Sequence, residues 1–202
     1  MGRFRFPASP SHPASLPAML DRYSEPRRDA ATLAARRGAL LDQLGWLEDE
    51  ATALVPLLGA LPTWAVEQAP LPTSLSAKET FGALEALDRD VYPAWLARAQ
   101  AESAPDLQTP DPLPGTDGAG ERPLADLLAG VGRQRAALRE TWAAVPAEAW
   151  ERPVVLDGEP TDLYGLALAV VRRDADWLKE LAYRLHEADL RVPKGPPEGS
   201  PS

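Results

Sequence analysis

The chain has 202 residues, 45% hydrophobic and 25% charged, enough to bury one core and too few for two full domains. Its 30 acidic residues outnumber 21 basic ones, and the formal net charge of -9 repels phosphate backbones, which argues against nucleic acid as a partner. Cysteine is absent, which excludes disulfides, thiolate metal sites and thiol nucleophiles supplied by this chain.

The opening residues, MGRFRFPASPSHPASLPAML, contain no apolar run long enough for a signal-peptide core, so a cytoplasmic protein is expected. No stretch approaches the roughly 18 apolar residues of a membrane helix, and no membrane association is expected. Prolines concentrate before Arg27, between Pro105 and Pro123, and after Val192. They divide the chain into a Pro-rich leader (1–26), a helical body (27–190) and a Pro/Gly-rich tail (191–202).

Within the body, Leu40, Leu44, Leu47, Ala51, Leu54, Leu58 and Leu61 repeat at steps of three and four, the face of a first helix that Pro56 would kink or divide. Ser76 and Glu79 have capping-box spacing and open a second helix, with Ala77, Phe81, Leu84, Leu87, Val91 and Trp95 on its apolar side. Pro123 starts a third, with Leu124, Leu127, Leu128, Val131, Leu138 and Val145. Between residues 147 and 160 a short EAW turn precedes a minimal hairpin at Asp157-Gly158. Thr161 or Asp162 caps a fourth helix bearing Leu163, Leu166, Val170, Trp177, Leu181 and Leu185. No other segment alternates with period two, so the expected class is all-α, a four-helix bundle with a long loop between helices 2 and 3.

Polar residues inside apolar stripes carry the most information, because a buried charge needs a partner. Asp88, Gln134, Arg135 and Arg173 interrupt the second, third and fourth stripes. Either they meet in the bundle centre as an ionic cluster, or the arginine stems follow the stripe edges and their heads reach solvent, which is the preferred reading. The acids Glu48-Asp49-Glu50, Asp174 and Asp176 read as solvated helix faces. The two histidines, His12 and His186, make no ligand spacing, and no serine has a histidine partner in register. Six tryptophans, Trp46, Trp64, Trp95, Trp142, Trp150 and Trp177, read as core or interface packing.

The segment order, with SAKETFGALEALDRDVY, PLADLLAGVGRQRAALRETWAAVPAEAW and LYGLALAVVRRDADWLKELAYRL, resembles the DinB/YfiT-like bundle family over residues 27 to 190. The family's second helix opens W-S-x-x-E-x-x-G-H-L, to which Leu75 through Leu84 is similar; its fourth carries H-D-x-x-H-L, where Arg173 through Leu178 stands. The resemblance implies an up-down-down-up bundle, a homodimer, and a divalent metal on three histidines used in small-thiol chemistry. Here those three positions are Ala83, Arg173 and Trp177, none of which can ligate a cation. The expectation is therefore a bundle without metal or other cofactor, acting as a non-catalytic small-molecule or protein binding module. The alternative is a thiol transferase or hydrolase-like enzyme of the same family. The candidate pocket at the former metal site comprises Ala83, Asp88, Arg135, Arg173 and Trp177. In the favoured arrangement Arg173 pairs with Asp88 or another inward acid while Trp177 fills the vacated volume; in the second, Arg173 anchors an anionic or aromatic ligand.

Overall fold

The computed structural model of the chain describes residues 29–69 and 74–191. The Pro-rich leader with His12, the tail beyond residue 191 and the side chain of Leu185 lie outside the described residues. Contacts divide the chain into a first unit, Met1–Leu33, and a second, Ala34–Ser202. In the first, the Asp29 carboxylate accepts from the Thr32 amide at 3.0 Å and its hydroxyl at 2.8 Å, the geometry of a helix N-cap.

The described chain is mostly helical, and among its described residues no helix is long and apolar enough to cross a membrane. Helix α1 spans Ala30–Gly59 and buries Leu40, Leu44, Leu47, Ala51 and Leu58. It continues through Pro56 rather than dividing there. Pro56 lies on the exposed side of the last turn, where water can take the Thr52 carbonyl that its missing amide leaves unpaired. A short helix α2, Thr63–Glu67, follows and buries Val66.

Helix α3, Ala77–Ala86, begins with the expected capping box: Ser76 Oγ accepts from the Glu79 amide at 3.1 Å while Glu79 accepts from the Ser76 amide at 2.7 Å. It is buried on nearly every side, so its polar residues are matched individually. Lys78 donates to Glu67 at 2.7 Å and to the Gly120 carbonyl at 2.9 Å; Glu85 pairs with Arg122 at 2.6 Å. Gly82 admits the long loop, since a Cβ there would overlap the Gly115 carbonyl, and Gly115 itself adopts φ +77°.

A π-helical turn, Leu87–Val91, joins α3 to α4, Tyr92–Ala101. The Tyr92 amide reaches back five residues to the Leu87 carbonyl, and Pro93, next in the chain, supplies no amide at all. A proline in a running helix clashes with the carbonyl four residues earlier, and the wider turn relieves that crowding. Beyond it the buried positions are Tyr92, Trp95, Leu96 and Ala99, so Tyr92 takes the place expected for the half-buried Val91.

Strand β1, Asp106–Leu107, pairs in parallel with β2, Pro153–Leu156, which pairs antiparallel with β3, Glu159–Asp162. The expected hairpin is present, with Asp157 at φ +51° and Gly158 at φ +86°, and β1 extends it to a three-stranded sheet. Leu107 and Val154 bury beneath it. Helix α5 spans Leu124–Ala143 and helix α6 spans Leu163–Arg191, with Asp162 Oδ1 accepting from the Gly165 amide at 2.8 Å as the cap of α6. Leu47, Ala51, Phe81, Leu84, Leu127, Val131 and Leu181 share one core, against which Trp177 packs half-buried.

Candidate functional site

Three consecutive interior positions of α5 read Val131, Arg135 and Leu138, four and three residues apart, so the stripe that buries two aliphatic side chains also drives a guanidinium inward. Arg135 is 0% exposed. Its Nε and Nη2 donate to the two Asp88 oxygens at 2.8 and 2.9 Å, a fork-to-fork pair, and its Nη1 donates to Asp174 Oδ2 at 2.5 Å. One guanidinium thus joins the π-turn, α5 and α6. The second oxygen of Asp174 is buried with no hydrogen-bond partner among the described residues.

Two carboxylates around one guanidinium leave a net negative charge in a site closed to water. Burial pushes Asp88 up to about 6, Arg135 opposes that rise and Asp174 adds to it. Burial likewise raises Asp174, against the pull of Arg135 and Arg173. For Arg135 burial acts downward, and the two carboxylates outweigh it, so the guanidinium stays charged.

The preferred sequence reading, with both arginine heads in solvent, is corrected here: Arg135 is fully internal because Asp88 and Asp174 satisfy it. Asp174 also moves from a presumed solvated face to the interior. It lies four residues after Val170 and seven before Leu181, both buried, and that spacing was the signal that pointed inward.

Arg173 does not pair with Asp88. Its Nη1 donates to Tyr92 Oη at 3.1 Å and its Nη2 to Thr109 Oγ1 at 2.9 Å. Thr109 is itself held by Asp157, which accepts from its amide at 2.6 Å and its hydroxyl at 2.7 Å. Tyr92 is buried, and burial raises its phenol well above the ordinary range, so it stays neutral. Tyr92, Thr109 and Asp157 were missed by pattern reading, because two lie outside regular helices and the third is displaced by the π-turn.

Arg173 and Trp177 line an open depression of about 610 Å³ along α6, together with Thr161, Leu168, Arg172 and Asp176. Ala83 is buried within α3. Of the sequence-derived set, Asp88 and Arg135 therefore meet in the ionic centre and Arg173 and Trp177 at the depression. Among the described residues, no three His, Cys, Asp or Glu side chains come together as a metal-holding group.

A separate aromatic cluster joins Trp142, Trp150 and Tyr164, with successive ring centroids 5.2 and 5.1 Å apart. Arg36 stacks over Tyr164 and Arg37 over Trp150, and Arg37 also donates to the Ala143 and Val145 carbonyls. Of the tryptophans read as core or interface packing, Trp95, Trp142 and Trp150 are buried, whereas Trp46 and Trp64 are exposed.

Compared with family models, with curated proteins and with solved structures, the chain matches none.

Proposed function

We propose that this chain is a divergent DinB/YfiT-like helical bundle, up-down-down-up in topology and homodimeric, that works as a non-catalytic binding module. The observation that carries the reading is the Arg135 centre. Asp88 spends both of its oxygens and Asp174 one on a fixed guanidinium, so the carboxylates best placed to hold a cation already share one. Positions 83, 173 and 177, where the resembling family has histidines, carry a methyl group, a guanidinium and an indole, which supports the loss of metal chemistry rather than its relocation.

The test is elemental analysis of untagged protein, with thermal melts in zinc, nickel or chelator. The expected result is metal-free protein whose midpoint ignores all three, since a ligand that binds only the folded state must raise it. Stoichiometric metal, or turnover of a small thiol with an electrophile, would overturn the reading. Light scattering after size exclusion tests the dimer.

A further inference from the structure

A binding module needs a ligand, and the inference below rests on that reading. We propose that the depression on α6 takes a small organic anion, a carboxylate or phosphate monoester borne on a planar ring, with Arg173 and Arg172 holding the anionic head and Trp177 the ring.

Arg173 is built for this. A guanidinium has five N–H donors in a rigid plane, and the two hydrogen bonds described for this one go to hydroxyls. Both acceptors are neutral, so they fix the group's position without pairing its charge; the buried Asp174 carboxylate feels that charge but is in contact with Arg135 instead. Among the described residues no carboxylate forms an ion pair with Arg173, in contrast to Arg135. The hold is itself supported, because Asp157 clamps Thr109 through two hydrogen bonds and Tyr92 is packed in the interior against Trp95 at 5.4 Å. A guanidinium whose orientation is set before binding loses little freedom when an oxyanion arrives, which favours tight recognition of one head group.

The rest of the depression selects the ligand's size and body. A volume of about 610 Å³ lies within the range of small-molecule sites and holds a single ring with its head. Trp177 is anchored on one side by the core and lines the depression, and Leu168 and Ala169 add apolar surface. Exposed Arg172 supplies a second cation, and Asp176 at the same wall repels a second anionic group. One anionic head on one flat apolar body meets all of these conditions.

The experiment is calorimetric titration of the full chain with phenyl phosphate, benzoate and inorganic phosphate, with the metal content of the same sample measured in parallel. Saturable binding of a ring-bearing probe, about tenfold or more tighter than inorganic phosphate, is expected. Saturation by benzoate alone assigns a carboxylate head and by phenyl phosphate alone a phosphate head, and either supports the proposal. R173Q should weaken the bound probe by about tenfold or more, R172Q by less, and W177L should erase the advantage of the ring. Because Arg172 is exposed, R172Q preserves a test even if R173Q fails to fold. Neither ring-bearing probe saturating at millimolar concentration, or affinity unchanged in R172Q and R173Q, overturns the inference. A metal-loaded sample fails the binding-module reading, whereas a metal-free sample that takes no probe fails this inference alone.

Discussion

Arg135 and Arg173 extend from neighbouring helices, α5 and α6, and end in opposite electrostatic conditions. Arg135 meets two carboxylates and is sealed from water; Arg173 meets two hydroxyls and borders an open depression. The difference shows how the same residue type serves as a structural tie in one place and as an available charge a short distance away. What decides is the charge of the partner. A carboxylate consumes the guanidinium's field, whereas a hydroxyl orients the group and leaves the field standing.

The sharpest way to break this comparison is to remove the sealed cation. R135M leaves Asp88 and Asp174 buried without their partner, and a loss of about 3–5 kcal/mol is expected in a denaturant titration. A loss below about 1 kcal/mol would show that the centre is hydrated and that the two arginines are not so different. Next in size is G82A, whose added methyl group meets the Gly115 carbonyl. A destabilisation of about 1–3 kcal/mol is expected, as for an overpacked core. Its local consequence should fall on the loop that carries Thr109, so that NMR shifts at Arg173 Nε move more than those at Arg135 Nε.

The pH dependence of stability separates the two sites further. Asp88 in the folded chain sits at about 6 against an ordinary 3.8, so between those values the folded state binds more protons than the unfolded one. Stability from this group is therefore gained as pH falls through the window and lost as pH rises through about 6. The melting midpoint should be higher at pH 5 than at pH 7, until, at still lower pH, the exposed acids Asp90 and Glu102, held below their usual range by Arg89 and Arg98, become protonated and act in the other direction. D174N removes a second carboxylate raised by burial, together with a like charge beside Asp88, and should flatten the dependence, while the loss of its buried pair with Arg135 should cost about 1–3 kcal/mol at neutral pH. The smallest effect is expected for R173Q, which breaks hydrogen bonds at a half-buried position and should lower stability by about 1 kcal/mol or less.

How much of this was legible beforehand depends on whether the signal was periodic. The helix starts at Ser76 and Asp162 were readable because capping is local chemistry. Asp88 and Arg135 stood out because each interrupted an aliphatic stripe. Asp174 was lost to its neighbour Arg173, which lies three after Val170 and four before Trp177, so that two adjacent residues each carried a helical spacing and the wrong one was followed. Strand β1 is two residues long and parallel to a partner far along the chain, so no alternation announces it. Thr109 and Asp157 meet across 48 positions through that same small sheet, and their partnership is a property of the fold rather than of any segment.

The π-turn at Leu87–Val91 has one more effect, on comparison by sequence. A π-turn holds an extra residue without lengthening the helix proportionately, so the interior phase before it differs by about one position from the phase after it. An alignment that treats residues 77–101 as one unbroken helix will therefore pair Val91 with what should face Tyr92, and carry that offset to the end of α4. For this chain, a single-residue gap inside what looks like continuous helix is the correct placement against any relative whose helix is regular.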